Sequence, residues 1–240
     1  MKNIYRAAGA FPFLIAVFLN AFVDLGHKIV IQNTIFKIYD GKEQVILTAI
    51  VNALILLPFI LLFSPAGHTS DRYPKHQVMR LTAWAAVFLT SGIVVCYAMG
   101  WFWVSFAMTF MLAAQSAFYS PAKFGYIRGF FGREHLAQAN GVVSAVSILA
   151  ILSGTLVFSI LFEGMLPQEP QSKAEILRAL VPIGIILVLN SVLEVVMMYR
   201  LQQTDHPKAM EPFNTSRFLR GDLIKENLQP ILQRDVIRLS

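Results

Sequence analysis

Charge is what this chain has least of. Only 14% of its 240 residues are Asp, Glu, Lys or Arg, against 56% hydrophobic. A soluble domain carries roughly a quarter charged residues, so a water-soluble globular protein is excluded. Cysteine is almost absent. Cys96 stands alone inside an apolar run, which rules out an intrachain disulfide and gives no information on redox compartment. The five histidines are scattered and do not assemble with Cys96 into a metal-ligating pattern, so neither metal nor cofactor is expected. The net charge of +6 would suggest nucleic acid in a soluble protein. Here the positions of the charges point elsewhere, and no nucleic-acid partner is expected.

What the chain does have is apolar runs of bilayer-crossing length. Six spans are expected, at about 10–37, 43–66, 77–99, 101–121, 138–163 and 176–200. The N-terminal run is too long for a signal peptide and reads as an uncleaved first helix. Fifteen of the 20 Lys and Arg lie at the N-terminus, between spans two and three, between spans four and five, or beyond Tyr199; four lie on the other side and Lys28 is inside span one. The positive-inside rule then places both ends of the segment in the cytoplasm, as an even span count also requires.

After residue 200 the composition changes. Phe218, Leu219, Leu223, Ile224, Leu228, Ile231 and Leu232 alternate with Arg217, Arg220 and Lys225 at helical spacing. This predicts an amphipathic helix on the cytoplasmic surface or packed under the bundle. The expected organisation is a six-helix bundle over 1–200 and a cytoplasmic amphipathic linker over 201–240. The sequence stops at "VIRLS" without a termination signal, so a further apolar segment is expected to follow.

Between spans two and three lies a dense polar stretch, "SPAGHTSDRYPKHQVMR", with Gly67, Asp71, Arg72 and Lys75 at fixed spacing. It resembles the signature loop of the major facilitator superfamily, differing at Thr69, Pro74 and His76. In that superfamily the loop latches two six-helix halves in the outward-open state, and the resemblance implies the same role for these four residues. An anchor loop obeying the positive-inside rule accounts for Arg72 and Lys75, but not for an Asp one turn after Gly67. Gly67 is expected to permit close helix approach.

A second motif, "SPAKFGYIRGFFGREHLAQANG", joins spans four and five. Through Pro121, Lys123, Gly125, Asn140 and Gly141 it resembles the corresponding loop of bacterial lysophospholipid transporters, and of the transporter portion of their fusions with an acyltransferase and an acyl-carrier-protein synthetase. The resemblance implies an all-α integral membrane fold, the N-terminal six-helix half of a major facilitator transporter, working with a C-terminal half that this sequence lacks. It implies a bacterial inner-membrane protein that carries lysophospholipid from the outer to the inner leaflet by alternating access. Two other readings stand beside it: a small-solute or drug transporter of the same superfamily, and the membrane portion of a bifunctional enzyme. In the fused case a cytoplasmic acyltransferase is the partner. This chain has neither a His-x-x-x-x-Asp acyltransferase motif nor a nucleotide-binding loop, so no catalytic residue is assigned to it. A six-span protein acting as a dimer is disfavoured by the abrupt end.

Polar residues inside the spans mark the expected substrate path. Asn20, Asp24, Lys28 and Gln32 recur every four residues and share one stripe of span one. Ionisable groups in hydrocarbon cost roughly 2.5–3.5 kcal/mol on insertion scales, so the stripe is expected to face the bundle interior or a cavity. Asp24 and Lys28 are placed to neutralise each other at i, i+4, or to meet the ammonium and the phosphate of a headgroup. His27 reads as a hydrogen-bonded core residue. Gln115 and Asn190 extend the path. Glu194 is expected to snorkel from the end of span six. In span five, the pairs Gly141/Ala145 and Ala150/Gly154 suggest close helix packing.

Overall fold

The computed structural model describes residues 9–166 and 172–203. Eight helices occupy them: α1 (Ala10–Ile38), α2 (Gly41–Leu61), α3 (Phe63–Arg72), α4 (Lys75–Met99), α5 (Phe102–Phe131), α6 (Leu136–Met165), α7 (Lys173–Ala179) and α8 (Val181–Tyr199). Six of them, all but α3 and α7, are long and apolar enough to cross a membrane. The expected linker lies outside the described residues from 204 onward.

Span ends differ from expectation where proline and polar residues suggest a loop. The run after span two folds into α3, joined to α2 through Leu62 and ended by Tyr73 and Pro74. Proline disfavours helix in the residue before it, so the break falls there rather than at Gly67. Span four does not stop at Pro121. α5 continues for ten more residues with Pro121 inside it. The extension is amphipathic: Ala122, Tyr126 and Ile127 are buried while Phe124 and Arg128 are exposed. That tertiary burial outweighs the one backbone bond proline removes. The true connection to α6 is four residues, 132–135. Span six is divided: Ser172 caps α7 by accepting the Glu175 amide at 3.2 Å, and α8 restarts with Pro182 in its first turn.

α1 is the central element. It packs on α6 and α8, α4 packs on α8 and α5, and α2 and α3 lie against α5. Gly26 makes the α1 contact possible. A Cβ there would lie 2.6 Å from Leu187 of α8 and from Phe158 of α6. α6 meets α1 through Ala150 and Gly154, whose Cβ position is 3.4 Å from Phe22. Gly141 and Ala145 are instead exposed, so only one of the two small-residue pairs packs. Gly67 likewise has nothing within 4 Å of its Cβ position. The expected close approach does not occur there, because α3 turns that face outward.

The buried apolar residues form two clusters. One gathers around Val23, Val30, Tyr97, Phe158 and Leu187. The other gathers around Phe13, Val17, Met79, Tyr126 and Met198, at the end of the bundle that carries Lys75 and Arg80, called here the basic end. On α1, α5 and α8 alike, polar residues fall between the two clusters: Asn20, then Gln115 and Ser116, then Asn190, Ser191 and Glu194.

Candidate functional site

That polar layer is built from three helices. α1 supplies Asn20 and Asp24, α5 supplies Gln115, Ser116, Tyr119 and Lys123, and α8 supplies Glu194. The Ser116 hydroxyl donates to Asp24 Oδ2 at 2.5 Å and lies 3.1 Å from Gln115 Oε1. Lys123 is half-buried and within electrostatic range of Asp24, but the two do not close a direct ion pair. Its ammonium lies 5.7 Å over the Tyr119 ring and 5.0 Å over Phe124. The expected Asp24–Lys28 pairing is absent: among the described residues Lys28 forms no ion pair. Consecutive turns put the two side chains on one stripe, yet Asp24 is drawn toward α5, where Ser116 and Lys123 wait.

Lys28 lines a cavity of about 100 Å³ together with Asp24, Leu25, Ile55, Phe59 and Leu112, between α1, α2 and α5. Seen along α1, a cation, an anion and a cation follow one another: Lys28, then Asp24, then Lys123 toward the basic end. Burial of the stripe is graded. Asn20 is buried, while Asp24, Lys28 and Gln32 are half-buried. Asn190 is committed elsewhere: its amide donates to the Leu19 carbonyl at 2.9 Å and ties α8 to α1.

His27, beside the stripe, is a pin between three helices, as expected of a core histidine. Nε2 donates to the Ser105 carbonyl at 2.9 Å. In the neutral ring Nδ1 then accepts from the Tyr97 hydroxyl at 2.8 Å. Glu194 is the residue that sequence reasoning misplaces. It does not snorkel; it is wholly buried, and its carboxylate faces the Asn20 side chain. Its i+4 relation to Asn190 puts it on the inward stripe, and that signal is present in the sequence.

The two sequence motifs converge at the basic end. The Lys75 ammonium reaches Asp71 at 3.3 Å and also the Ser70 carbonyl. The Lys75 stem crosses α5 at Gly125, where an added Cβ would lie 2.8 Å from Lys75 Cε. So Asp71 pairs across the α3–α4 joint, and Gly125 is the notch through which its partner passes. Arg72 rests 5.8 Å from the Tyr73 ring. Pro121 and Gly125 are helical residues of α5, and Asn140 and Gly141 are helical residues of α6. Asn140 Oδ1 is buried without a partner.

The sequence profile of the Major Facilitator Superfamily matches residues 13–227. The chain belongs to that superfamily. Within it, the chain is 31% identical over 147 residues to the lysophospholipid transporter LplT of Photorhabdus laumondii, covering 60% of this chain and 34% of that one. It is 29% identical over 127 residues to the protein of the same name from Serratia proteamaculans, covering 52% and 29%. For the Yersinia pestis protein the figures are 28% over 127 residues, 52% and 28%. The matched part thus spans about a third of these relatives' length. No solved structure gives a significant match. The major facilitator assignment agrees with the all-helical architecture and with six membrane-crossing helices.

Proposed function

We propose that this chain is the N-terminal half of a lysophospholipid transporter, which moves its substrate from the outer to the inner leaflet of a bacterial inner membrane by alternating access. The observation that carries this reading is a largely apolar cavity lined by Asp24 and Lys28, with Lys123 within electrostatic range of Asp24 outside it. A lysophosphatidylethanolamine headgroup carries one ammonium and one phosphate. Asp24 suits the ammonium, and a lysine on either side of it suits the phosphate in two successive positions. Because Asp24 and Lys123 are not closed on each other, no ion pair has to break for the headgroup to reach them.

The cavity is too small for a whole ligand of this size, which takes roughly 300–1,000 Å³. It fits a headgroup. The acyl chain then lies along the apolar residues of α2, with Ile55 and Phe59 nearest the charges and Leu56 and Ile60 facing outward. The positive-inside count supports a cytoplasmic location for the basic end, where the Asp71–Lys75–Gly125 crossing is suited to latch against the second half. Transport requires that half, since binding in such folds sits between halves.

The test uses the complete gene product in spheroplasts that lack their own transporter, with labelled lysophosphatidylethanolamine offered to the outer leaflet. Wild type takes it up. Asp24→Asn and Lys123→Met each lower uptake at least about tenfold at equal expression, as expected for loss of a charge-assisted contact worth roughly 1.5–3 kcal/mol. Asp71→Asn lowers the rate without weakening substrate competition. No uptake by well-expressed wild type overturns the lipid assignment and favours a small-solute carrier.

A further inference from the structure

Four polar side chains line the cavity between α1, α2 and α5, and three of them are accounted for. Asp24 and Lys28 carry the charges that a headgroup meets. His27 has both ring nitrogens engaged, on Tyr97 and on Ser105. The fourth is Thr109 of α5. It is only 4% exposed, and its hydroxyl has no hydrogen-bond partner. Buried polar atoms are nearly always satisfied, so an unengaged hydroxyl lining a cavity points to a ligand.

The helix itself explains why this hydroxyl is loose. A threonine inside an apolar helix can donate to the carbonyl four residues back. Thr34, Thr90 and Thr155 do so, at 2.7, 2.8 and 2.9 Å. For Thr109 that carbonyl belongs to Ser105. A carbonyl oxygen has two lone pairs. One meets the Thr109 amide in the helical ladder of α5. The other accepts from His27 Nε2 at 2.9 Å. The histidine that joins α1 to α5 thus occupies the acceptor that the hydroxyl would use. A back-bonded threonine can only accept; Thr109 can both donate and accept, beside the two charged groups of the cavity.

We infer that Thr109 is a specificity-determining residue, whose hydroxyl pairs with the free glycerol hydroxyl of a lysophospholipid. The inference rests on the lipid reading above and adds the feature that sets such a lipid apart. Ammonium and phosphate are common to a lysophospholipid and its diacyl parent, so Asp24 and Lys28 do not tell them apart. The glycerol hydroxyl does. In the diacyl lipid it is an ester, which cannot donate. It sits on the carbon next to the one that carries the phosphate, so it enters with the phosphate. A neutral group that donates and accepts suits it, and Thr109 is the neutral, unengaged group of the four. A lipid without that hydroxyl leaves the buried Thr109 oxygen with no donor, which weakens binding.

The test uses the full-length protein in the same spheroplasts. Two unlabelled lipids compete for uptake of labelled lysophosphatidylethanolamine: the lysolipid itself, and its 2-deoxy analogue with the same chain and headgroup but no free hydroxyl. On wild type the analogue competes about fivefold more weakly, a difference of about 1 kcal/mol, the usual net value of one hydrogen bond. Thr109→Val keeps the shape, loses the hydroxyl, and responds to both lipids equally. Thr109→Ser keeps the hydroxyl and the preference. The unfolding midpoint of purified Thr109→Val is unchanged or higher, because an unpartnered buried hydroxyl gives way to a methyl group. A Thr109→Val protein that still prefers the lysolipid about fivefold overturns the inference. So does a lower midpoint, which makes the hydroxyl a structural contact, and so does equal weakening of both lipids, which puts water on it. Wild type that responds to both lipids equally overturns this inference alone. Wild type that takes up no lysolipid overturns it together with the lipid reading.

Discussion

Asp24 and His27 lie less than one turn apart on α1, and they have opposite surroundings. His27 has both ring nitrogens engaged, on α4 and on α5. Asp24 has one oxygen held by Ser116 and the other unpartnered. Both are polar and both lie inside one apolar span, so neither property separates a structural residue from a working one. Satisfaction does. A polar group whose every valence is filled by the protein holds helices together; one left partly open is available to something that comes and goes.

Three comparisons separate these roles. The largest effects come from the pair itself. His27→Ala leaves the Ser105 carbonyl and the Tyr97 hydroxyl unpartnered in the interior, so stability should fall by roughly 1–3 kcal/mol, read as a lower unfolding midpoint, while the folded fraction keeps its apparent substrate affinity. Asp24→Asn should do the reverse, keeping or raising the midpoint and losing uptake. A His27→Ala protein that is stable but inactive would erase the distinction. Next comes Gly26→Ala, between the two residues. Its methyl group meets Leu187 and Phe158 at 2.6 Å, and overpacking of that kind costs roughly 1–3 kcal/mol. The measurement is again the midpoint, and no change would mean that α1, α6 and α8 are packed less closely than described. The smallest effect is expected at the far end of α1, where Lys37 and Glu163 pair at 3.0 Å with both side chains substantially exposed. Glu163→Gln should change stability by less than about 1 kcal/mol, and high salt should abolish even that.

Some of this is readable from residues alone. Six apolar runs predict six spans, and the four-residue rhythm of Asn20, Asp24, Lys28 and Gln32 places them on an inward stripe. What residues alone do not supply is which neighbouring helix each polar group meets. Lys123 counts as a positive-inside loop residue if Pro121 ends the helix; once α5 runs on, the same lysine faces Asp24. Distance to the span end suggests that Glu194 snorkels, whereas α1 lying alongside decides its burial. Gly67 and Gly125 show the same limit. Both occur in a recognisable motif, yet only Gly125 has a side chain crossing it.

At the end opposite the basic one, the Lys173 ammonium donates to the Tyr39 hydroxyl at 2.7 Å and sits 4.6 Å over the Trp103 ring, with Phe102 on another side. At the basic end Trp84 donates to the Tyr199 hydroxyl at 3.3 Å. The chain has three tryptophans: Trp101 and Trp103 share one end of the bundle, and Trp84, toward the other, sits in a different electrostatic setting from Trp103. Their emission offers an optical readout built into the protein: a version retaining Trp103 alone reports when the lysine leaves its ring, and one retaining Trp84 alone reports the opposite face, without any attached label.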